Sequence, residues 1–238
     1  MLLELGGVRL LTDPVLRPGI AHIRRRAVPP APDVTSDIDA VLISHLHHDH
    51  LDLKSLRCLD GPFRLFVPRG AGAFLRSQGF AHAEEMVSGE SSDVQGVEVV
   101  ATPAVHDARR WPISGPRASP IGFVARAARS VYFAGDTDLF DGMDGLEPEL
   151  HVALLPVWGW GPRLGPGHLD PQRAARAAQL LRPRLAVPIH WGTFFPRGRR
   201  PGDRLTGPPH EFAKRVAELA PRVTVRVVEP GASLALTD

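Results

Sequence analysis

Four histidines and one aspartate fall within the six residues His45-Leu46-His47-His48-Asp49-His50. Imidazole nitrogen combined with carboxylate oxygen is a ligand set for zinc, and also for iron or manganese. The run directly follows Ala40-Val41-Leu42-Ile43, a short branched apolar stretch that reads as a buried strand. Polar groups at the end of a buried strand lose hydration, and a bound cation removes that cost. His45 and His47 alternate along an extended chain, so they can face the same side. Asp49 and His50 lie beyond the strand end and can bend toward a second position. One loop thus offers two nitrogens to one metal, and an oxygen and a nitrogen to another. His48, lying between them, is expected to point away from both.

Three other apolar runs end in residues of the same kind. Val97 to Thr102 delivers Val105-His106-Asp107, Ser130 to Phe133 runs into Gly135-Asp136-Thr137, and Leu185 to Ile189 ends in His190-Trp191-Gly192. If these strands run toward one rim, their ends meet. The expected assignment is His45, His47 and His106 on one metal, and Asp49, His50 and His190 on the other. Asp136 is expected to bridge them, since a carboxylate has two oxygens to give. Two divalent cations, zinc foremost with Mn2+ or Fe2+ as alternatives, would lower the pKa of a bridging water so that hydroxide is available near neutral pH. Asp49 would orient that hydroxide for attack as well as bind metal. The sequence contains no Gly-x-Ser-x-Gly elbow, and this chemistry needs no Ser or Cys nucleophile.

The surrounding elements must hold those ends in place. Leu2 to Leu5 and Val8 to Thr12, joined at Gly6-Gly7, read as a hairpin ended by Asp13-Pro14. Residues 17 to 37, with Arg24 to Arg26 and four prolines, read as a long loop. Asp52 is placed to cap a helix over Leu53 to Leu59. Phe63 to Val67 reads as a strand, and Gly70 to Gln78 as a helix closed by Gly79. Ile121 to Ala125 is expected to pair with Ser130 to Phe133, and Val152 to Leu155 to form a buried strand. Asp170-Pro171 should start a helix reaching about Leu181. A last helix is expected over Glu211 to Leu219, with Phe212, Val216 and Leu219 on one face. Val223 to Val228 and Ser233 to Leu236 read as closing strands. Two sheets packed face to face with helices outside satisfy this order.

The 238 residues, 43% of them hydrophobic, suit one domain spanning 1–238. Lys54 and Lys214 are the only lysines, so the positive charge is nearly all guanidinium, and a net charge of +2 gives no case for nucleic acid. Cys58 is the single cysteine, which excludes an internal disulfide and suits a reducing compartment. No signal peptide or bilayer-spanning run is visible, so the expected location is cytoplasmic.

The ordered set of His45 to His50, His106, Asp136 and His190 resembles the metallo-β-lactamase superfamily. The resemblance implies an α+β fold, a four-layer αββα sandwich with a dinuclear site, usually zinc, on its rim. Within it, Leu11-Thr12-Asp13-Pro14, Phe133-Ala134-Gly135-Asp136-Thr137, Gly167-His168-Leu169-Asp170-Pro171 and Ile189-His190-Trp191-Gly192-Thr193 look like one branch. That branch contains N-acyl-phosphatidylethanolamine-hydrolysing phospholipase D and ascorbate-6-phosphate lactonase, with the phospholipase closer. Its members usually carry a Gly-His-Ala or similar segment before the first hairpin, a region inside which Met1 falls. By this resemblance Asp13 accepts a hydrogen bond from a ligating imidazole. His168 lies over the metals, as a catalytic group that stabilises an anionic transition state or protonates a leaving group. His22, His82, His151 and His210 have no such context.

Arg24 to Arg26, Arg109, Arg110, Arg163, Arg197, Arg199 and Arg200 all fall in loops expected to leave the rim. Together they suggest a positive mouth suited to phosphate or carboxylate. Trp111, Trp158, Trp160, Phe194 and Phe195 share those loops and either line an apolar pocket or pin the loops to the core. The expected substrate is therefore a small anionic ester, first a phosphodiester of phospholipid-like or nucleotide-like type and second a small lactone. A β-lactamase is disfavoured by the lack of a secretion signal, and a nuclease by the lack of room for a substrate-clamping insertion. A non-catalytic metal-stabilised binding module is the reading from another class, and a homo-oligomer stays open.

Overall fold

The computed structural model describes residues 1–111, 115–158 and 164–236. The chain begins with the expected hairpin, β1 (Leu2–Leu5) and β2 (Val8–Thr12), paired antiparallel. The long loop that follows is not wholly irregular. It contains a small hairpin, β3 (Gly19–Ile20) and β4 (Ile23–Arg25), whose core is Ile20, Ile23 and the distant Phe194. Then come β5 (Ala40–Leu42), α1 (Leu53–Leu56), β6 (Arg64–Pro68), α2 (Gly72–Ser77) and β7 (Ala83–Met86). The first sheet has the order β1-β2-β5-β6-β7, and β2, β5, β6 and β7 run parallel.

The second half begins with β8 (Ser91–Val94), β9 (Val97–Pro103), β10 (Ile121–Arg126) and β11 (Ser130–Phe133), each antiparallel to the next. β12 (Val152–Pro156), α3 (Pro171–Leu181) and β13 (Leu185–Ile189) follow, and β12 and β13 continue the sheet in parallel. β14 (Phe194–Pro196) leaves this sheet and pairs with β4. α4 (Asp203–Leu219) and the short β15 (Thr224–Val225) complete a seven-stranded sheet in the order β15-β13-β12-β11-β10-β9-β8.

Strand periodicity explains the layering. Leu10, Leu42 and Phe66 point into one cluster with Val99, Phe123, Phe133 and Leu154 of the second sheet. Their sequence neighbours Leu11, Val41, Ile43, Leu65 and Val67 point the other way, onto Leu56 of α1 and Leu75 of α2. Val124, Tyr132, Ala153 and Leu155 likewise turn to Ala174, Ala178, Phe212 and Val216 of α3 and α4. Successive side chains alternate faces, and these central strands are buried on both, so they read as continuous apolar runs. The architecture is a four-layer α+β sandwich, helix–sheet–sheet–helix.

Several boundaries differ from the sequence reading. α1 ends at Leu56, and its continuation to Leu59 is a turn held by Cys58 N–Ser55 O and Leu59 N–Leu56 O bonds of 3.0 and 3.4 Å. α2 starts at Gly72, because Gly70 has φ +100° and cannot begin a right-handed turn. α4 begins eight residues before the expected Glu211 and runs through Pro208 and Pro209. Burial of Leu205, Pro209, Phe212 and Val216 along one stripe outweighs the lost hydrogen bonds. The expected C-terminal strands shrink to Thr224–Val225, and Ser233 to Leu236 is not a strand. Leu236 still packs against the inter-sheet core, so the run is apolar for burial rather than for pairing. β7 and β8 were not expected; each is the outer strand of its sheet and partly polar.

Candidate metal centre

β9 and β11 run the same way, because each is antiparallel to β10, and β12 and β13 continue in parallel with β11. The C-terminal ends of β9, β11 and β13 therefore share one rim, which carries His106, Asp136 and His190. The loop after β5 joins that rim directly, since Ile121 N donates to Ser44 O at 3.0 Å. Gly135 permits the close approach. It has φ +61°, and a Cβ there would lie 2.4 Å from the Ser44 Cβ.

Two groups of donors result. His45 Nε2 and His106 Nε2 each lie 3.0 Å from His47 Nδ1. Beside them, His50 Nε2 is 3.2 Å from His190 Nε2, and Asp49 Oδ2 lies 3.7 and 3.6 Å from those two atoms. Asp136 presents Oδ2 to His50 Nε2 at 3.3 Å and Oδ1 to His190 Nε2 at 3.5 Å. Both sets fit a small cation, because the edge of a tetrahedron with bonds of about 2.0–2.1 Å is roughly 3.3 Å. Asp136 Oδ1 is also buried with no hydrogen-bond partner, a cost that a ligand in the site would remove.

The outward nitrogens fix which atom each ring turns inward. His106 Nδ1 donates to Gly167 O at 2.7 Å, and His190 Nδ1 donates to Trp158 O. His50 Nδ1 donates to Asp13 Oδ2 at 2.6 Å. The Ser44 hydroxyl gives its one proton to Asp13 Oδ2 at 2.5 Å, so it can only accept from His45 Nδ1 at 2.9 Å. All four rings thus turn Nε2 toward the centre, with a lone pair to offer whenever that nitrogen is unprotonated. Asp13 accepts from an imidazole as expected, and it also serves a second ring through Ser44, which the sequence reading missed. The position of Ser44 directly before His45 was the available signal.

The remaining histidines divide clearly. His168 Nε2 lies 3.7 Å from Asp136 Oδ2, and its ring stands edge-on to His106 at 4.5 Å. His48 turns away, with Nδ1 3.2 Å from Arg110 Nη2. His22, His82 and His210 are exposed, and His151 Nδ1 accepts from Ser130 N at 3.2 Å.

Electrostatics separate the two groups. Burial lowers His45 well below the ordinary imidazole value and takes His106 down to about 4. Burial acts on His190 in the same direction, but Asp136 and Asp49 outweigh it and raise the ring to about 9. His50 is raised well above its ordinary value against the same burial, by Asp136, Asp49 and Asp13. Burial would raise the Asp136 and Asp49 carboxyls, yet His190 and His50 hold both well below the ordinary range.

The expected arginine mouth is only partly formed. Arg110 is 5% exposed and turned inward. Arg25 lies over the Phe194 ring at 4.5 Å and donates to Arg17 O at 3.2 Å. Each guanidinium finds carbonyl acceptors or an aromatic face inside the protein. Arg109 is half-buried, while Arg24, Arg26, Arg197, Arg199 and Arg200 remain exposed. Phe194 is core to the small sheet, and Trp158 stacks on Phe195 at 5.8 Å. Trp111, 40% exposed, sits against Phe74 and His48. Trp160 and Arg163 lie outside the described residues. Among the described residues no helix is long and apolar enough to cross a membrane.

Comparison with known proteins agrees with this geometry. A family profile described as a beta-lactamase superfamily domain matches residues 8–191. A UPF0173 metal-dependent hydrolase of Methanopyrus kandleri is 34% identical, over 97% of this chain and 93% of its own length. One from Pyrobaculum arsenaticum is also 34% identical, over 99% and 95%. The structure of Igni18, a metallo hydrolase from Ignicoccus hospitalis, superposes with a TM-score of 0.74 at 26% identity, covering 98% of this chain and 92% of that one. The chain therefore belongs to the metallo-β-lactamase superfamily, among its UPF0173 metal-dependent hydrolases. The expectation of an enzyme holds, and the non-catalytic binding module is set aside.

Proposed function

We propose that the protein hydrolyses small anionic phosphodiesters with two divalent cations, zinc first. His45, His47 and His106 would hold one cation, Asp49, His50 and His190 the other, with Asp136 shared between them. When bound, the cations would supply Lewis acidity and an acidified water. Asp49, 17% exposed in its side chain, orients the attacking water. His168 Nε2, 3.7 Å from Asp136 Oδ2 and 26% exposed in its side chain, donates a proton to the departing oxygen.

The preference for an anion rests on one observation. β14 begins four residues after His190, and the small sheet it joins carries Arg24, with Arg26, Arg197, Arg199 and Arg200 in the segments just past β4 and β14, all exposed. Among the described residues none of the five has a carboxylate partner. Guanidinium forks without internal acids suit phosphoryl oxygens. The motif resemblance to the phospholipase and lactonase branch points the same way.

The test is a panel of bis-p-nitrophenyl phosphate, a simple lactone and a neutral aryl ester, with added zinc or manganese. The phosphodiester should be turned over fastest. Arg199→Glu should raise its KM several-fold and leave the neutral ester unchanged. Faster lactone turnover would reverse the substrate order, and an equal effect of Arg199→Glu on both esters would remove the anion argument.

A further inference from the structure

We propose that Arg110 is a positioning residue that clamps the donor loop His47–His50 from behind and fixes it against His106. Its guanidinium reaches both ends of that loop. Nη1 donates to Leu46 O at 2.6 Å and to Leu51 O at 3.2 Å, and Nη2 donates to Leu51 O at 3.2 Å. Leu46 and Leu51 flank the four residues that include His47, Asp49 and His50. Neither carbonyl accepts from a backbone N–H among the described residues, so the fork satisfies two otherwise orphaned acceptors.

The arrangement is costly for a merely structural contact. The side chain is buried, burial lowers its pKa to about 10, and Nε has no hydrogen-bond partner. Among the described residues no carboxylate forms an ion pair with it. An apolar side chain would fill the gap between Phe74 and Trp111, whose rings lie 5.1 and 5.5 Å from the guanidinium carbon, without burying a charge. What an apolar side chain cannot do is hold two carbonyls of a turn in one plane. Lysine has the charge but only a point donor, without the fork.

Chain connectivity gives the clamp its consequence. Arg110 lies four residues after His106, and its own backbone N is fixed by Pro116 O at 3.1 Å. One short segment therefore supplies a donor to the centre and grips the loop bearing three others. The 3.0 Å approach of His106 Nε2 to His47 Nδ1 depends on how these two segments are held together.

The proposal rests on the metal-centre reading, and its test uses Zn2+ alone, without substrate. Zn2+ affinity of the metal-stripped full chain is measured by competition with a chromophoric chelator for the unchanged protein, Arg110→Lys and Arg110→Ala. Both variants should bind Zn2+ about 10–100-fold more weakly, with far-UV circular dichroism retained by Arg110→Lys. Millimolar guanidinium should restore affinity to Arg110→Ala, which has the cavity for it, and not to Arg110→Lys. Unchanged affinity in both variants would overturn the clamp. So would a loss that guanidinium does not relieve and that follows loss of the dichroism signal. Failure of the unchanged protein to take up Zn2+ would instead bring down the metal-centre reading, and the clamp with it.

Discussion

His45, His47 and His106 meet as three imidazoles, whereas His50 and His190 share their pocket with Asp49 and Asp136. Desolvation dominates the first group, and its rings stay neutral near pH 7 with lone pairs free. Carboxylates dominate the second, and they favour protons on His50 and His190. The same ring type on one rim is thus prepared in two ways. The first group would accept a cation without giving anything up, while the second would have to exchange protons for it.

Asp136→Ala should have the largest effect, because Asp136 turns one oxygen to each imidazole of the second group, closer than Asp49 does, and its Oδ1 is buried with no hydrogen-bond partner. Metal content should fall and hydrolysis drop to the uncatalysed background, measured together by atomic absorption and turnover. Retained activity in a metal-free sample would refute the scheme. Next, if two cations bind as proposed, His190→Ala should lower the metal count from two per chain to one, whereas His106→Ala should weaken the other position first. Identical stoichiometries in the two variants would erase the distinction between the groups.

Acidity should distinguish them as well. His190 is raised from 6.5 to about 9, so without metal its ion pairs contribute stability that is full below 6.5 and lost as pH rises through about 9. A cation competes with that proton, so affinity at the second group should climb with pH toward about 9, by about tenfold per unit for each proton displaced. His106, lowered to about 4, is already neutral there, and affinity at the first group should stay nearly flat between about pH 6 and 8. Calorimetry in buffers of different ionisation enthalpy counts the protons released, and equal release at both groups would contradict the contrast. The smallest change is Ser44→Ala, which removes the acceptor of His45 Nδ1 and leaves the Asp13–His50 bond in place. It should weaken the first position by about tenfold and spare the second, as read by competition with a chelator.

Much of the centre was legible because its information is local. A branched apolar run followed within a few residues by histidine or aspartate states both the strand and the chemistry at its end, and β5, β9, β11 and β13 all follow that form. Asp52 and Asp170 cap α1 and α3 as their positions foretold, each accepting from the backbone N three residues on. Signals that depend on distant partners were misread. The last helix was expected only from Glu211, whereas tertiary burial carries it back through Pro209 and Pro208 to Asp203, and β7 and β8 were hidden by polar residues of outer strands.

The arginines show the limit most clearly, since a loop guanidinium reads as solvent charge whichever way it turns. Arg199 stays outside and Arg110 turns in, and only the placement of Leu46 O, Leu51 O, Phe74 and Trp111 makes the difference. The sequence by itself determined the donor types, their order along the chain and the strands that end in them, because these follow from side-chain chemistry and short-range periodicity. The tertiary structure alone decided which nitrogen each ring turns inward, which donors group together and which charges are buried. Those depend on acceptors, such as Asp13, Gly167 O and Trp158 O, brought from elsewhere in the chain by the closing of two sheets.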